Sequence, residues 1–186
     1  TGSMIFLVAA ENSHIQHMIR LALDPKLFEL MGWNPFFDLD QMELFIAAIS
    51  EYTLPYSRSS QPLVLGICLL VDALPIGYTV LKGINPSLGT VEVGLAVLER
   101  QYRSKGYGRL ALQRTVSYAF EVLRLKTIGA AILASNQASI NMCTKTGFKI
   151  REVLSDSWSM PNGDLADMVW MEIENTTPPL HRVNLL

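Results

Sequence analysis

Charge of either sign is scarce in this chain of 186 residues: 15 Lys and Arg stand against 17 Asp and Glu, for a formal net charge of -2. No global basic excess draws it to nucleic acid, so any anion site has to be a local patch. Only two cysteines occur, Cys68 and Cys143, too few for a disulfide framework and in keeping with free thiols in a reducing compartment. His14, His17 and His181 fall on a helical segment and a tail without metal-ligand spacing, so no metal is expected. No apolar run reaches the roughly 18 residues that span a bilayer. "MIFLVAA" (4–10) lacks a basic flank and soon meets Glu11, so no signal peptide and no membrane are expected. The expectation is a cytoplasmic protein.

What is plentiful is apolar: 49% of residues are hydrophobic and 17% charged, enough for one packed domain at this length. Thr1-Gly2-Ser3 ahead of Met4 reads as a cloning remnant, residues 4–174 as the domain and 175–186 as a fraying tail. No repeat or linker interrupts it.

Strand and helix periods alternate along the chain. "MIFLVAA" is a strand, and Asn12 or Ser13 caps a helix ending at Asp24-Pro25. A second helix spans about 39–52 after the turn-rich "WNPFFDLDQ", and "LPYSRSSQP" (54–62) is a loop. "LVLGICLLV" and "LPIGYTVLKGI" form a hairpin, "TVEVGLAVL" (90–98) a further strand, and "KTIGAAILA" (126–134) a buried one. A helix near Asn136 ends at Gly147, and two strands close the domain around "PNGD". This makes one α/β (α+β) domain.

Between "TVEVGLAVL" and an amphipathic helix stands "RSKGYGRL" (103–110). A glycine turn feeding a helix presents free backbone N–H groups and the positive end of the helix dipole to an anion. Arg103, Lys105 and Arg109 add charge, while Gly106 and Gly108 let a ligand approach the backbone. As a dinucleotide fingerprint the turn is weak, since it follows 102 residues of chain and lacks the acidic ribose partner. A solvated basic helix start is the plain alternative.

Together with "NQASINMCTKTGF" (136–148), this turn resembles the GNAT family of N-acetyltransferases. The first signature is Arg103, Gly106 and Gly108; the second is Asn136, Ser139, Lys145, Gly147 and Phe148. "NGDLADMVWMEI", "IGY" (76–78) and "DPKLFELMGWNP" are similar to the branch that acetylates ribosomal-protein N-termini. The resemblance covers about residues 4–174. It implies a mixed, mostly antiparallel twisted sheet that splays between "TVEVGLAVL" and "KTIGAAILA", with acetyl-CoA as cosubstrate and a primary amine as acceptor. Pantetheine would bond to backbone around Ala96, Val97 and Leu98. Pyrophosphate would sit on Arg103, Ser104, Lys105, Gly106, Tyr107, Gly108 and Arg109. Asn136 would bond to the pantetheine amide, with helix capping as the alternative, and Lys145 would reach a coenzyme phosphate or solvent.

Two departures accompany the match. Arg100 stands where the family often has Pro, and one extra residue between Gly94 and Arg103 calls for a bulge in that strand.

Acetyl transfer needs an uncharged amine, and neutralising one with a pKa near 10.4 at pH 7 costs about 4–5 kcal/mol. Glu92 is the candidate base; period two places it with the small residues Gly94 and Ala96, which leave room for an acetyl group. A solvated strand end is its bland reading. Where much of the family has a tyrosine acid this chain has Cys143, so Ser139 is the first candidate donor to the leaving thiolate and Cys143 the second, with no side-chain acid as the alternative. Trp33, Phe36, Asp38 and Trp158 are the expected acceptor wall, or an aromatic hinge packed on the sheet. Direct attack in a ternary complex needs no metal. A monomer or a homodimer through the terminal strands is expected. An idle CoA-binding module and an enzyme using another acyl-CoA are the rival readings.

Overall fold

A computed structural model of the protein describes residues 4–33, 42–50 and 61–176. Phe36, Asp38, most of the polar loop and the tail from 177 onward lie outside them.

The strands are β1 (Phe6–Ala9), β2 (Leu63–Cys68), β3 (Gly77–Asn85), β4 (Thr90–Val97), β5 (Thr127–Leu133), β6 (Lys149–Ser159) and β7 (Leu165–Glu174). The helices are α1 (Asn12–Ala22), α2 (Pro25–Met31), α3 (Met42–Ser50), α4 (Tyr107–Glu121) and α5 (Gln137–Thr146). One seven-stranded sheet runs in the order β1-β2-β3-β4-β5-β7-β6. Only β4 and β5 are parallel; every other neighbouring pair is antiparallel. The architecture is the mixed α/β sheet that the sequence suggests.

Two helix starts differ from expectation. At α1 the side chain of His14 reaches back, its Nδ1 accepting the Glu11 N–H at 3.0 Å, so the cap is Glu11 rather than Asn12 or Ser13. Asp24-Pro25, read as a stop, also starts α2: Asp24 accepts from the Lys26 N–H at 3.1 Å and Pro25 takes the first turn, where its missing N–H is not needed. At the other end Gly32, at φ 71°, closes α2 in the left-handed conformation.

Each face of the sheet has its own core. Val91, Val93, Leu112, Val116, Phe120 and Ile128 pack on the α4–α5 side. Ile15, Met18, Phe45, Tyr78, Val80 and Ala96 pack on the α1–α3 side. β4 therefore alternates as its period requires, with Glu92, Gly94 and Ala96 toward α1–α3.

Candidate active site at the parted strands

β4 and β5 pair over three positions only, Thr90↔Thr127, Val91↔Ile128 and Glu92↔Gly129. Beyond Glu92 the two strands part, although β4 continues to Val97 and β5 to Leu133. The exposed edge of β4 can be resolved by atom. A Cβ added to Gly77 of β3 would overlap the Ala96 carbonyl oxygen, so that oxygen points at β3. The Leu98 N–H donates to Ile76 O at 2.8 Å, again toward β3. Val97 O is turned the other way, where it receives Arg103 Nε at 2.8 Å. Main-chain groups alternate in direction along a strand, so Leu95 and Val97 face the gap. The Ala96 carbonyl and the Leu98 N–H, both expected near pantetheine, are turned to the β3 side, and Leu98 O is taken by Arg103. The Leu98 and Glu99 N–H groups both donate to Ile76 O. Two residues thus oppose one carbonyl, and the expected bulge lies just past the end of β4.

Downstream of a 3₁₀ turn at Arg100–Tyr102 the chain enters the glycine turn. The N–H groups of Ser104, Lys105, Gly106, Tyr107, Gly108 and Arg109 have no acceptor among the described residues. Ser104 (φ 60°) and Gly106 (φ 88°) are both left-handed, a backbone arrangement that gathers successive N–H groups into an anion-binding concavity. The Lys105 and Arg109 side chains are exposed beside it.

Arg103 differs from expectation. Its guanidinium donates inward, to Val97 O at 2.8 Å and Leu98 O at 2.6 Å, and meets Asp24 Oδ2 at 3.4 Å. Asp24 also accepts from Arg100 at 3.1 Å. Arg103 is thus a brace that fixes the turn to the end of β4 and to the start of α2, which leaves Lys105 and Arg109 as the exposed cations beside the turn. Desolvation works to raise the Asp24 carboxyl, but the Lys26 amide and the Arg100 and Arg103 guanidinium groups outweigh it and hold its pKa below the ordinary 3.8. A depressed carboxylate contributes fully above its unfolded-state pKa and fades as pH falls through the folded one; at neutral pH the brace is complete. Asp24→Ala is expected to weaken coenzyme A binding roughly tenfold, from about 1–2 kcal/mol of charge-assisted hydrogen bonding discounted for partial exposure. A calorimetric titration reads it.

A cavity of about 120 Å³ opens where the strands part. Asn136, Ser139, Met142 and Cys143 line it from α5, and Lys82, Glu92, Trp33 and Trp158 from the other side. Glu92 is only 2% exposed, so it is no solvated strand end. Asn136 caps α5, its Oδ1 accepting the Ser139 N–H at 3.2 Å, while its Nδ2 has no partner among the described residues and the residue lines the cavity. The Ser139 hydroxyl is likewise without a partner among them. Lys145 is exposed on the last turn of α5.

Burial pushes the Cys143 thiol up to about 12. A coenzyme-type thiol titrates near 8.5, so proton transfer from Cys143 to that thiolate is uphill by about 5 kcal/mol. A thiol raised in this way is poorly suited to give up its proton, and Cys143→Ala is expected to keep kcat within about threefold, a thiol being a weak donor. Turnover of that variant checks it.

Where an acceptor wall is expected, the described residues show aromatic packing. Trp33 is 6% exposed, stacked on Tyr78 with ring centroids 6.5 Å apart and edge-on to Phe45 at 6.3 Å. It is a wall element with little free surface. Trp158 Nε1 donates to Gly32 O at 3.0 Å, tying β6 to the end of α2.

The sequence reading missed Lys82 and Tyr78. Both share a face with Glu92, and Lys82 is its direct partner across β3 and β4. The room expected above Gly94 is partly taken: a Cβ there would lie 2.9 Å from Val80 Cγ1 and 3.6 Å from Lys82 Nζ. Among the described residues no group of three or more His, Cys, Asp or Glu is placed to hold a metal, and no helix is long and apolar enough to cross a membrane.

Comparison with known proteins agrees with this geometry. A family profile described as "Acetyltransferase (GNAT) domain" matches residues 5–149. The chain is 27% identical over 145 residues, 78% of each chain, to "Uncharacterized N-acetyltransferase p20" of Bacillus licheniformis. In fold it is similar to a spermidine N-acetyltransferase from Vibrio cholerae solved with CoA and spermine. That likeness has a TM-score of 0.74 at 19% identity and covers 93% of this chain and 96% of the other. A dodecameric structure of spermidine N-acetyltransferase from Vibrio cholerae gives 0.69 at 19% identity, covering 93% and 95%. Strand parting, free turn amides and profile match converge: the chain belongs to the GNAT family and is an acetyl-CoA-dependent N-acetyltransferase.

Proposed function

We propose that the chain acetylates a primary amine by direct attack on the thioester within a ternary complex, at the point where β4 and β5 separate. The observation that carries this reading is the three-residue pairing of those strands, because it leaves main-chain groups and a buried carboxylate on one opening. Glu92 takes the proton from the attacking amine, directly or through a water. The Leu95 and Val97 N–H groups serve the pantetheine arm and the developing oxyanion. Asn136 Nδ2 donates to a pantetheine carbonyl, and the Ser139 hydroxyl hydrogen bonds to the departing thiolate. The six free amides from Ser104 to Arg109 cradle the pyrophosphate, with Lys105 and Arg109 beside them.

The acceptor approaches from the Trp33 and Trp158 side. The similarities that point to the ribosomal-protein N-terminal branch make a peptide α-amine the leading acceptor, and a small amine the other. Calorimetry with coenzyme A, followed by thiol release across a panel of amines, tests the proposal. Absence of binding at high micromolar coenzyme A, or binding with no amine-dependent thiol release, removes it; the second result would leave the idle-module reading.

A further inference from the structure

Lys82 stands directly opposite Glu92 in the β3–β4 ladder and lines the same cavity. Opposed residues on one sheet face carry their side chains side by side. The Lys82 chain leans along the face toward the acetyl site, since its Nζ lies 3.6 Å from the place of a Cβ on Gly94. Glycine at 94 therefore makes space for an ammonium as well as for an acyl group.

The other ionisable groups lining the cavity among the described residues are Tyr78 and Cys143. Burial raises the pKa of each, so both stay protonated and neutral. Glu92 and Lys82 are thus the acidic and the basic side chain that the described residues bring to the cavity, opposed on one sheet face. An acceptor that arrives as an ammonium has to share a confined, poorly solvated space with the Lys82 charge. An acceptor that arrives neutral does not.

We propose that Lys82 is a specificity-determining residue: its ammonium, held over Gly94 and opposite Glu92, disfavours strongly basic acceptors and favours weakly basic primary amines that enter uncharged. The proposal rests on the acetyl-transfer reading above. It gives Lys82 a task distinct from that of Glu92: Glu92 handles the proton released on attack, and Lys82 decides which protonation state of the acceptor is admitted.

The test is a ratio. With acetyl-CoA as donor, kcat/KM is measured by thiol release at pH 8 for alaninamide and for n-butylamine, in the native protein and in Lys82→Met, Lys82→Gln and Lys82→Arg. In both neutral variants the preference for alaninamide over butylamine should fall at least tenfold, chiefly through a lower KM for butylamine. Lys82→Arg, which keeps the charge, should retain the native preference. Coenzyme A calorimetry on each variant confirms that the cosubstrate site is intact. A ratio unchanged within twofold in both neutral variants overturns the proposal, as does equal loss of activity toward both amines in variants that still bind coenzyme A. No thiol release from the native protein with either amine, despite coenzyme binding, instead overturns the acetyl-transfer reading and takes the role of Lys82 with it.

Discussion

Replacing Glu92 by Gln is expected to lower kcat/KM toward an alkylamine at pH 7 by about 10²–10³-fold, within the usual range for a general base. The deficit should close as the pH approaches the amine's own pKa. An amine near 10.4 is almost wholly protonated at pH 7, and taking its proton costs about 4–5 kcal/mol. An α-amine near 7.7–8.0 needs only about 1 kcal/mol. The same substitution should therefore cost an α-amine acceptor no more than about tenfold. Glutamine keeps the size and one hydrogen-bonding oxygen of the buried carboxylate, so packing around β4 is preserved and the charge alone is removed. Thiol-release profiles from pH 6 to 10 with both acceptors read the result. Equal losses for the two amines at every pH would mean that Glu92 positions groups without accepting a proton.

A second substitution should strike the cosubstrate and spare the chemistry. Gly106→Ala is expected to weaken coenzyme A binding by about 10–100-fold, or about 1.4–2.8 kcal/mol. Gly106 sits at φ 88° with nothing within 4 Å of where a Cβ would stand. In the free protein the added methyl therefore meets open space, and its only penalty is the left-handed backbone, about 1–2 kcal/mol for an L-residue. Gly163, in the β6–β7 turn, supplies a matched control: it too has φ 88° and no neighbour within 4 Å. Gly163→Ala should lose similar thermal stability and bind coenzyme A like the native protein. If both variants bind equally well, the turn does not approach a ligand through Gly106.

Much of this was legible from local pattern. The period-two run at 90–98 put Glu92, Gly94 and Ala96 on one face, and the structure keeps that division. Asn136 and Gly147 bracket α5 as their chemistry requires. What stayed hidden was set by partners far along the chain. Asp24 looked like a helix stop because the guanidinium groups it serves lie 76 and 79 residues away. Arg103 looked like a phosphate ligand because nothing in "RSKG" reveals that two carbonyls of the preceding strand claim its side chain. Lys82 was one charge in an apolar run until the β3–β4 register set it opposite Glu92. The direction of the Ala96 carbonyl and the Leu98 N–H stayed hidden because which way a strand's amides point is fixed by its neighbour, here β3.

The row of amides from Ser104 to Arg109, unclaimed among the described residues, has a consequence for how such a protein can change over time. A donor that belongs to the peptide bond survives almost any exchange of side chain, provided the turn keeps its shape. On the proposed reading, and Gly106 apart, grip on the nucleotide end would be largely indifferent to amino-acid identity, while the aromatic and charged lining around Trp33, Trp158 and Lys82 would answer to every replacement. Drift can retune which amine is accepted and leave the source of the acyl group alone.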